Sequence, residues 1–85
     1  MFERYEVAPS EQERLARNFS YHAPNEKQIE RYGVIRSCAF NFSILLSELC
    51  PTSRELSLSL TKLDEVVMFA NAAIARNENG HAKPV

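Results

Sequence analysis

The sequence predicts an all-α protein: a short N-terminal helix followed by a long antiparallel helical hairpin, all within one domain over residues 1–85. Three observations predict it. Apolar residues recur at alternating spacings of three and four along two long stretches, the mark of a helix face. Polar residues suited to cap a helix stand at the start of each stretch. Two proline-containing punctuators, at residues 19–25 and 49–52, separate the stretches.

The first element is expected to open at Ser10, with Pro9 preceding it, and to run to about Asn18. Ser10 and Glu13 make an S-x-x-E pattern, in which each side chain satisfies the other's free backbone N–H. Its apolar content is only Leu15 and Ala16, so it needs something to dock on. The second helix is capped by Asn25, with Gln28 as the reciprocal partner three residues on. Its apolar stripe runs Ile29, Tyr32, Ile35, Ala39, Phe42, Leu46 and Leu49, widened by Phe40, Ile44 and Leu45. Pro51 disfavours helix in the residue before it, which sets the end near Leu49 or Cys50.

Thr52 and Glu55 make another capping box, opening the third helix. Leu56, Leu60, Leu63, Val67, Ala70 and Ile74 step by four and three along it as a heptad seam. Leu58, Val66, Phe69 and Ala73 lie beside the seam, Gly80 is the expected stop, and 81–85 is a frayed tail. The expected organisation is therefore 1–25 short helix and loop, 26–78 hairpin and 79–85 tail. Two helices of about 24 residues span about 36 Å each, and a tight turn forces them antiparallel. Both carry apolar faces wider than one interface, so self-association is expected. Alanines at 70, 72, 73 and 75 let other helices approach closely there.

Composition narrows the function. Ten basic and 11 acidic residues give a net charge of −1. That argues against a chain that coats DNA or RNA, while leaving room for a small anionic ligand held by a few cations. Two cysteines, Cys38 and Cys50, are too few for a secreted disulfide scaffold and form no metal-binding spacing with His22 or His81, so two reduced thiols in a helix are expected. The charged N-terminus reads as no signal peptide, and no apolar run is long enough for a bilayer. An intracellular protein is expected, with no membrane partner.

No catalytic set is visible. Neither histidine has an Asp or Cys close in sequence, the serines inside helices are expected to face solvent, and Gly33 and Gly80 make no phosphate loop. No enzyme, metal or cofactor is expected. Binding is better served. Tyr21, His22 and Pro24 put aromatic rings beside a rigid proline on a loop, which suits base stacking. The more ordinary use of Phe19 and Tyr21 is to staple the short helix onto the hairpin. Arg31 and Arg36, early in the second helix, are candidates to meet phosphates. Asn71 and Arg76 are the polar exceptions in the alanine-rich run. In a rotationally symmetric assembly several Arg76 guanidiniums would face one axis and call for an anion between them.

The residues 49–55, LCPTSRE, with Leu58, 60–65 (LTKLDE), Val67, Met68 and 70–76 (ANAAIAR), resemble a bacteriophage family of anti-defence sponges. These are the anti-CBASS proteins that sequester cyclic oligonucleotides, whose hairpin is shared with a sponge countering Thoeris defence. Residues 19–24 (FSYHAP), Glu30, Arg31, Tyr32, Ile35 and Arg36 resemble its N-terminal motif, so the likeness covers 19–77 and leaves 1–18 unmatched. Phe69 and Ser59 depart from the tryptophan and alanine expected there. Lacking the additional N-terminal domain of the Thoeris sponge, the chain resembles the shorter anti-CBASS type more closely.

The resemblance implies a homohexamer in the cytoplasm of an infected bacterium, binding signalling rings without cleaving them. It implies cyclic dinucleotides such as cGAMP at Tyr21, His22, Pro24 and Arg36. It implies cyclic trinucleotides such as cyclic tri-AMP at Ser37, Asn71 and Arg76, where protomers meet. The two sites are expected to draw on different ends of the hairpin. From the residues alone, a rival reading is a small helical adaptor whose spare apolar face meets a protein partner.

Overall fold

The computed structural model describes residues 2–78, and within them the chain is three helices with no strand. They are α1 (Pro9–Asn18), α2 (Glu26–Leu49) and α3 (Arg54–Asn77). The expected stop at Gly80 and the tail at 81–85 lie outside the described residues.

Helix α1 starts differently from the expected capping box. Ala8 is its N-cap, with no side-chain cap, and Pro9 occupies the first turn. Proline fits there because its missing N–H would be unpaired anyway and its φ is already helical. Ser10 therefore sits inside the helix and cannot act as its cap. Gln12 ties the start down instead, its Nε2 donating to the Val7 carbonyl at 2.8 Å. At the other end the Ser20 hydroxyl donates to the Ala16 carbonyl, and His22 Nε2 lies 2.8 Å from the Arg17 carbonyl. Two carbonyls left over by the last turn are thus satisfied by side chains of the following loop.

Helix α2 opens on the expected capping box. Asn25 Oδ1 accepts from the Gln28 N–H at 2.8 Å, and Gln28 Oε1 accepts from the Asn25 N–H at 3.1 Å. It ends at Leu49, with Cys50 extended ahead of Pro51. The cap of α3 is one residue later than the sequence suggested. Ser53, not Thr52, is extended and accepts the Leu56 N–H at 3.1 Å, while its hydroxyl donates to the Pro51 carbonyl at 2.9 Å. The four-residue connection leaves Thr52 in the turn, so the T-x-x-E pattern is not used. Cys38 is in α2 while Cys50 lies just beyond it, and both thiols are free and exposed.

The hairpin is antiparallel: the turn closes one end, and Gln28 and Arg31 of α2 meet Glu78 after α3 at the other. All six seam residues of α3 are partly covered, and Tyr32, Ile35, Ala39 and Leu46 are their counterparts on α2. Ile29, Phe42 and Leu49 of the expected α2 stripe stay exposed. A heptad stripe drifts around a straight helix over 24 residues, so the ends of the stripe leave the interface. Gln28 takes the facing position that Ile29 misses. Helix α1 lies against α3, at the alanine-rich end where small side chains admit a second backbone.

Among the described residues no hydrophobic one is buried in a single chain. Its Cα radius of gyration is 17.8 Å, against about 12 Å for a compact domain of this length. Phe40, Phe42, Val66, Met68 and Phe69 are each at least half exposed. A chain shaped this way has one seam and no centre. Ser43 and Ser47, by contrast, spend their hydroxyls on carbonyls of their own helix, Phe40 and Ser43, at 2.7 and 2.8 Å.

The cap register is directly testable. Ser53→Ala removes the acceptor for the Leu56 N–H and should cost about 1 kcal/mol, whereas Thr52→Ala should be close to neutral. Urea unfolding of the two variants compares them, and a larger loss at Thr52 would restore the T-x-x-E register.

Candidate functional site

The open end of the hairpin carries a depression of about 370 Å³, assembled from all three helices and the loop before α2. Ser20, Tyr21 and His22 come from that loop, Asn18 from the end of α1, Tyr32 from α2, and Asn71, Ala72, Ala75 and Arg76 from α3. The alanines set its depth, because nothing beyond Cβ fills the space above them. Its lining holds two phenol rings, one imidazole, amide groups and one guanidinium, and no carboxylate.

The Tyr21 ring is 88% exposed and Phe19 84% exposed. Neither packs α1 onto the hairpin, which sets aside the staple reading. Leu15 and Asn18, both partly covered, face the body of the protein instead. His22 is half-buried, and because a carbonyl can only accept, its Nε2 carries the proton toward Arg17. The Tyr21 backbone is thereby held between two anchors, the cap on α1 and the cap on α2.

Asn71 sits in the same wall. Its Oδ1 is shielded from solvent and has no hydrogen-bond partner among the described residues. Such an acceptor costs about 1–3 kcal/mol until a donor reaches it. Arg76, in the last turn of α3, is half-buried beside it and takes part in no ion pair among the described residues.

The two sets of residues expected at opposite ends of the hairpin are therefore partly together. Tyr21 and His22 line one depression with Asn71 and Arg76, because the start of α2 and the end of α3 are the same end of an antiparallel pair. Arg36 and Ser37 lie elsewhere. Arg36 is exposed one turn beyond Tyr32, in a groove with Phe40 and Asp64, and Ser37 is exposed on α2. Pro24 is exposed and outside the depression. Tyr32 was legible as part of the apolar stripe and of the N-terminal motif, and not as a site residue. Asn18 carried no signal beyond its place at a helix end.

The two early arginines of α2 separate in role. Arg31 is committed to Glu78: NH1 donates to Oε2 at 3.1 Å and NH2 pairs with Oε1. Arg36 is in no ion pair among the described residues. The hydrogen bonds from Arg31 hold the Glu78 carboxyl below its ordinary range and raise the guanidinium, though desolvation opposes both. The sign follows. A carboxyl depressed in the folded state contributes stability above its unfolded pKa, and loses it as pH falls through the folded value. Unfolding followed by circular dichroism below about pH 4.5 should show a pH-dependent loss in the native chain that is smaller in Glu78→Gln. Identical pH profiles would remove Glu78 as a contributor.

Among the described residues no His, Cys, Asp or Glu cluster is arranged to hold a metal, and no helix is long and apolar enough to cross a membrane. Comparison with curated proteins and with solved structures gave no match. The family described as "Acb2/Tad1, hairpin domain" matches residues 11–75. That span begins inside α1, earlier than the likeness read from residues 19–77, so the docked first helix is part of the family's pattern. With well over half its length matched, from the first turn of α1 almost to the end of α3, the chain belongs to the Acb2/Tad1 hairpin family, the anti-CBASS and anti-Thoeris sponges that its sequence resembled.

Proposed function

We propose that this protein is a phage anti-defence sponge that binds cyclic di- and trinucleotide second messengers and keeps them from host effectors without cleaving them. The observation that carries the reading is a depression with no carboxylate among its described lining residues, an outward tyrosine face and an arginine in no ion pair among the described residues. A cyclic oligonucleotide offers matching chemistry. Its bases stack on aromatic faces, its phosphates take guanidinium hydrogen bonds, and base or ribose donors suit the empty acceptor of Asn71. Family membership supports the same reading.

In this proposal cyclic dinucleotides such as cGAMP stack on Tyr21, with His22 and Pro24 shaping the loop and Arg36 supplying the cation. Cyclic trinucleotides such as cyclic tri-AMP are held by Arg76, Asn71 and Ser37. Arg36 and Ser37 lie outside the Tyr21 depression of their own chain, so neighbouring chains complete both sites. Six chains in a closed ring assembly are our proposal for the oligomer. It is supported by the absence of any buried apolar residue among those described in the single chain and by the rule that homo-oligomers close symmetrically.

The decisive experiment incubates the purified protein with cGAMP or cyclic tri-AMP, removes free ligand, denatures the protein and analyses what is released. Intact rings are expected; linear products would make it a hydrolase, and no retained ring would end the sponge reading. Sedimentation should give a hexameric mass, and a stable monomer at micromolar concentration would refute the assembly.

Two substitutions assign the ligands to residues. Tyr21→Ala removes an exposed ring that supports no packing, so the assembly should persist while cGAMP binding weakens by about 1–3 kcal/mol. Arg76→Ala should abolish cyclic tri-AMP binding, leave the empty assembly as stable or slightly more so, and spare cGAMP, whose proposed cation is Arg36. Undiminished trinucleotide binding in calorimetric titration would sink the assignment of Arg76.

A further inference from the structure

Gln28 is the one buried residue among those described, at 4% exposure, and it faces the end of α3 at the open end of the hairpin. A primary amide buried in a chain this open costs free energy unless both its ends are bonded. Both are. Its Oε1 accepts the Asn25 N–H at 3.1 Å, which fixes the end of the Tyr21 loop. Its Nε2 points the other way and makes a long donation, 3.5 Å, to the carbonyl of Glu78, two residues after Arg76. Glu78 is also the C-cap of α3, its N–H bonded to the Ile74 carbonyl at 3.1 Å. Its carboxylate is gripped by both terminal nitrogens of Arg31.

From this geometry we infer that Gln28, with the Arg31–Glu78 pair, is a positioning clamp for the nucleotide site. It fixes the loop that carries Tyr21 relative to the helix end that carries Arg76. The clamp rests on the proposed function for what is positioned, but not for its own existence. A capping box alone needs only the oxygen of Gln28; a glutamate would serve it equally, and S-x-x-E boxes use one. The nitrogen is spent on the far side, on the carbonyl of Glu78 just after the helix that carries Arg76. Arg31, which the sequence offered as a phosphate ligand, is on this reading unavailable to phosphate and works through Glu78.

Gln28→Glu separates these roles, since it retains the acceptor for the Asn25 N–H and removes the donor to Glu78. It also places a carboxylate beside Glu78. Sedimentation and circular dichroism should show unchanged mass and helicity. Affinity for cGAMP and cyclic tri-AMP should fall about tenfold, the scale of one lost bridging hydrogen bond. Hydrogen exchange should quicken both at residues 19–25 and in the last turn of α3. Arg31→Glu and Glu78→Arg should each weaken binding alone. Combined, they should restore it to within about threefold of the native value, which a general loss of helix stability would not do.

Native-like affinity and exchange in Gln28→Glu would overturn the clamp, as would failure of the charge exchange to rescue. If the native protein binds neither ring, the proposed function fails, and the exchange measurement still decides the clamp. Quickening at both segments upholds it, and quickening at neither, or at one alone, overturns it.

Discussion

The constraint on which everything else depends is the narrowness of the interface between α2 and α3. Two helices in contact cover one stripe each, and here that stripe holds residues such as Leu60, Leu63 and Val67 only part-covered. Burial of apolar surface is the dominant favourable term in folding, and this chain leaves much of it in water. The hairpin is therefore better regarded as one part of a core than as a core. Its local devices are correspondingly complete. Each long helix has a side-chain cap, the turn is fixed by Pro51 and Ser53, and the first helix is tied at both ends by Gln12 and by Ser20 with His22. A protomer prepared in this way brings preformed faces to assembly, which lowers the ordering cost paid when surfaces meet.

The same constraint explains where the depression forms. At the closed end of the hairpin the turn brings α2 and α3 together over Leu46 and Leu56. At the open end nothing covalent joins them, and α1 can lie against α3 because the side chains there are alanines. The loop from α1 to α2 must then cross that end to start α2. Its crossing puts Tyr21 above Ala72 and Ala75 as a wall of the depression. Closure at this end comes from Gln28, Arg31 and Glu78 rather than from apolar contact, so the site rests on polar bonds with defined directions.

Helix identity, length and the turn were legible in the sequence because period and proline are local signals. The spacing of Leu56 to Ile74 named the α3 seam correctly, residue for residue. Two caps were misread for one reason: S-x-x-E and T-x-x-E are satisfied by sequence alone, but the backbone admits a single N-cap per helix. Pro9 in the first turn moved one start to Ala8, and the reach of the turn from Pro51 moved the other to Ser53. The α2 stripe was misread at Ile29, Phe42 and Leu49 because periodicity gives a face and says nothing of where a partner stops. For the site, Tyr21 and Arg76 stood out as exceptions to their surroundings. Their convergence was not legible, since antiparallel helices place residues 21 and 76 together only once the open end is drawn. The clamp was invisible for a related reason: Gln28 was fully accounted for as a cap, and its second bond spans 50 positions.

Charge completes the argument. With 10 basic and 11 acidic residues the chain has no bulk attraction for anions, so recognition of a phosphate must come from local sorting. The structure sorts its arginines in two ways. Arg14 is neutralised by Glu11 within α1, and Arg31 by Glu78 across the open end of the hairpin. Arg4, Arg17, Arg36, Arg54 and Arg76 are left out of every ion pair among the described residues. Of those five, only Arg76 is half-buried, in a depression whose described lining carries no carboxylate, where a guanidinium keeps more of its field than it does in open water. Glu78, the nearest acid in sequence, stands outside that lining and is paired with Arg31. One arginine thus closes the hairpin, and the charge of the other is left for a ligand.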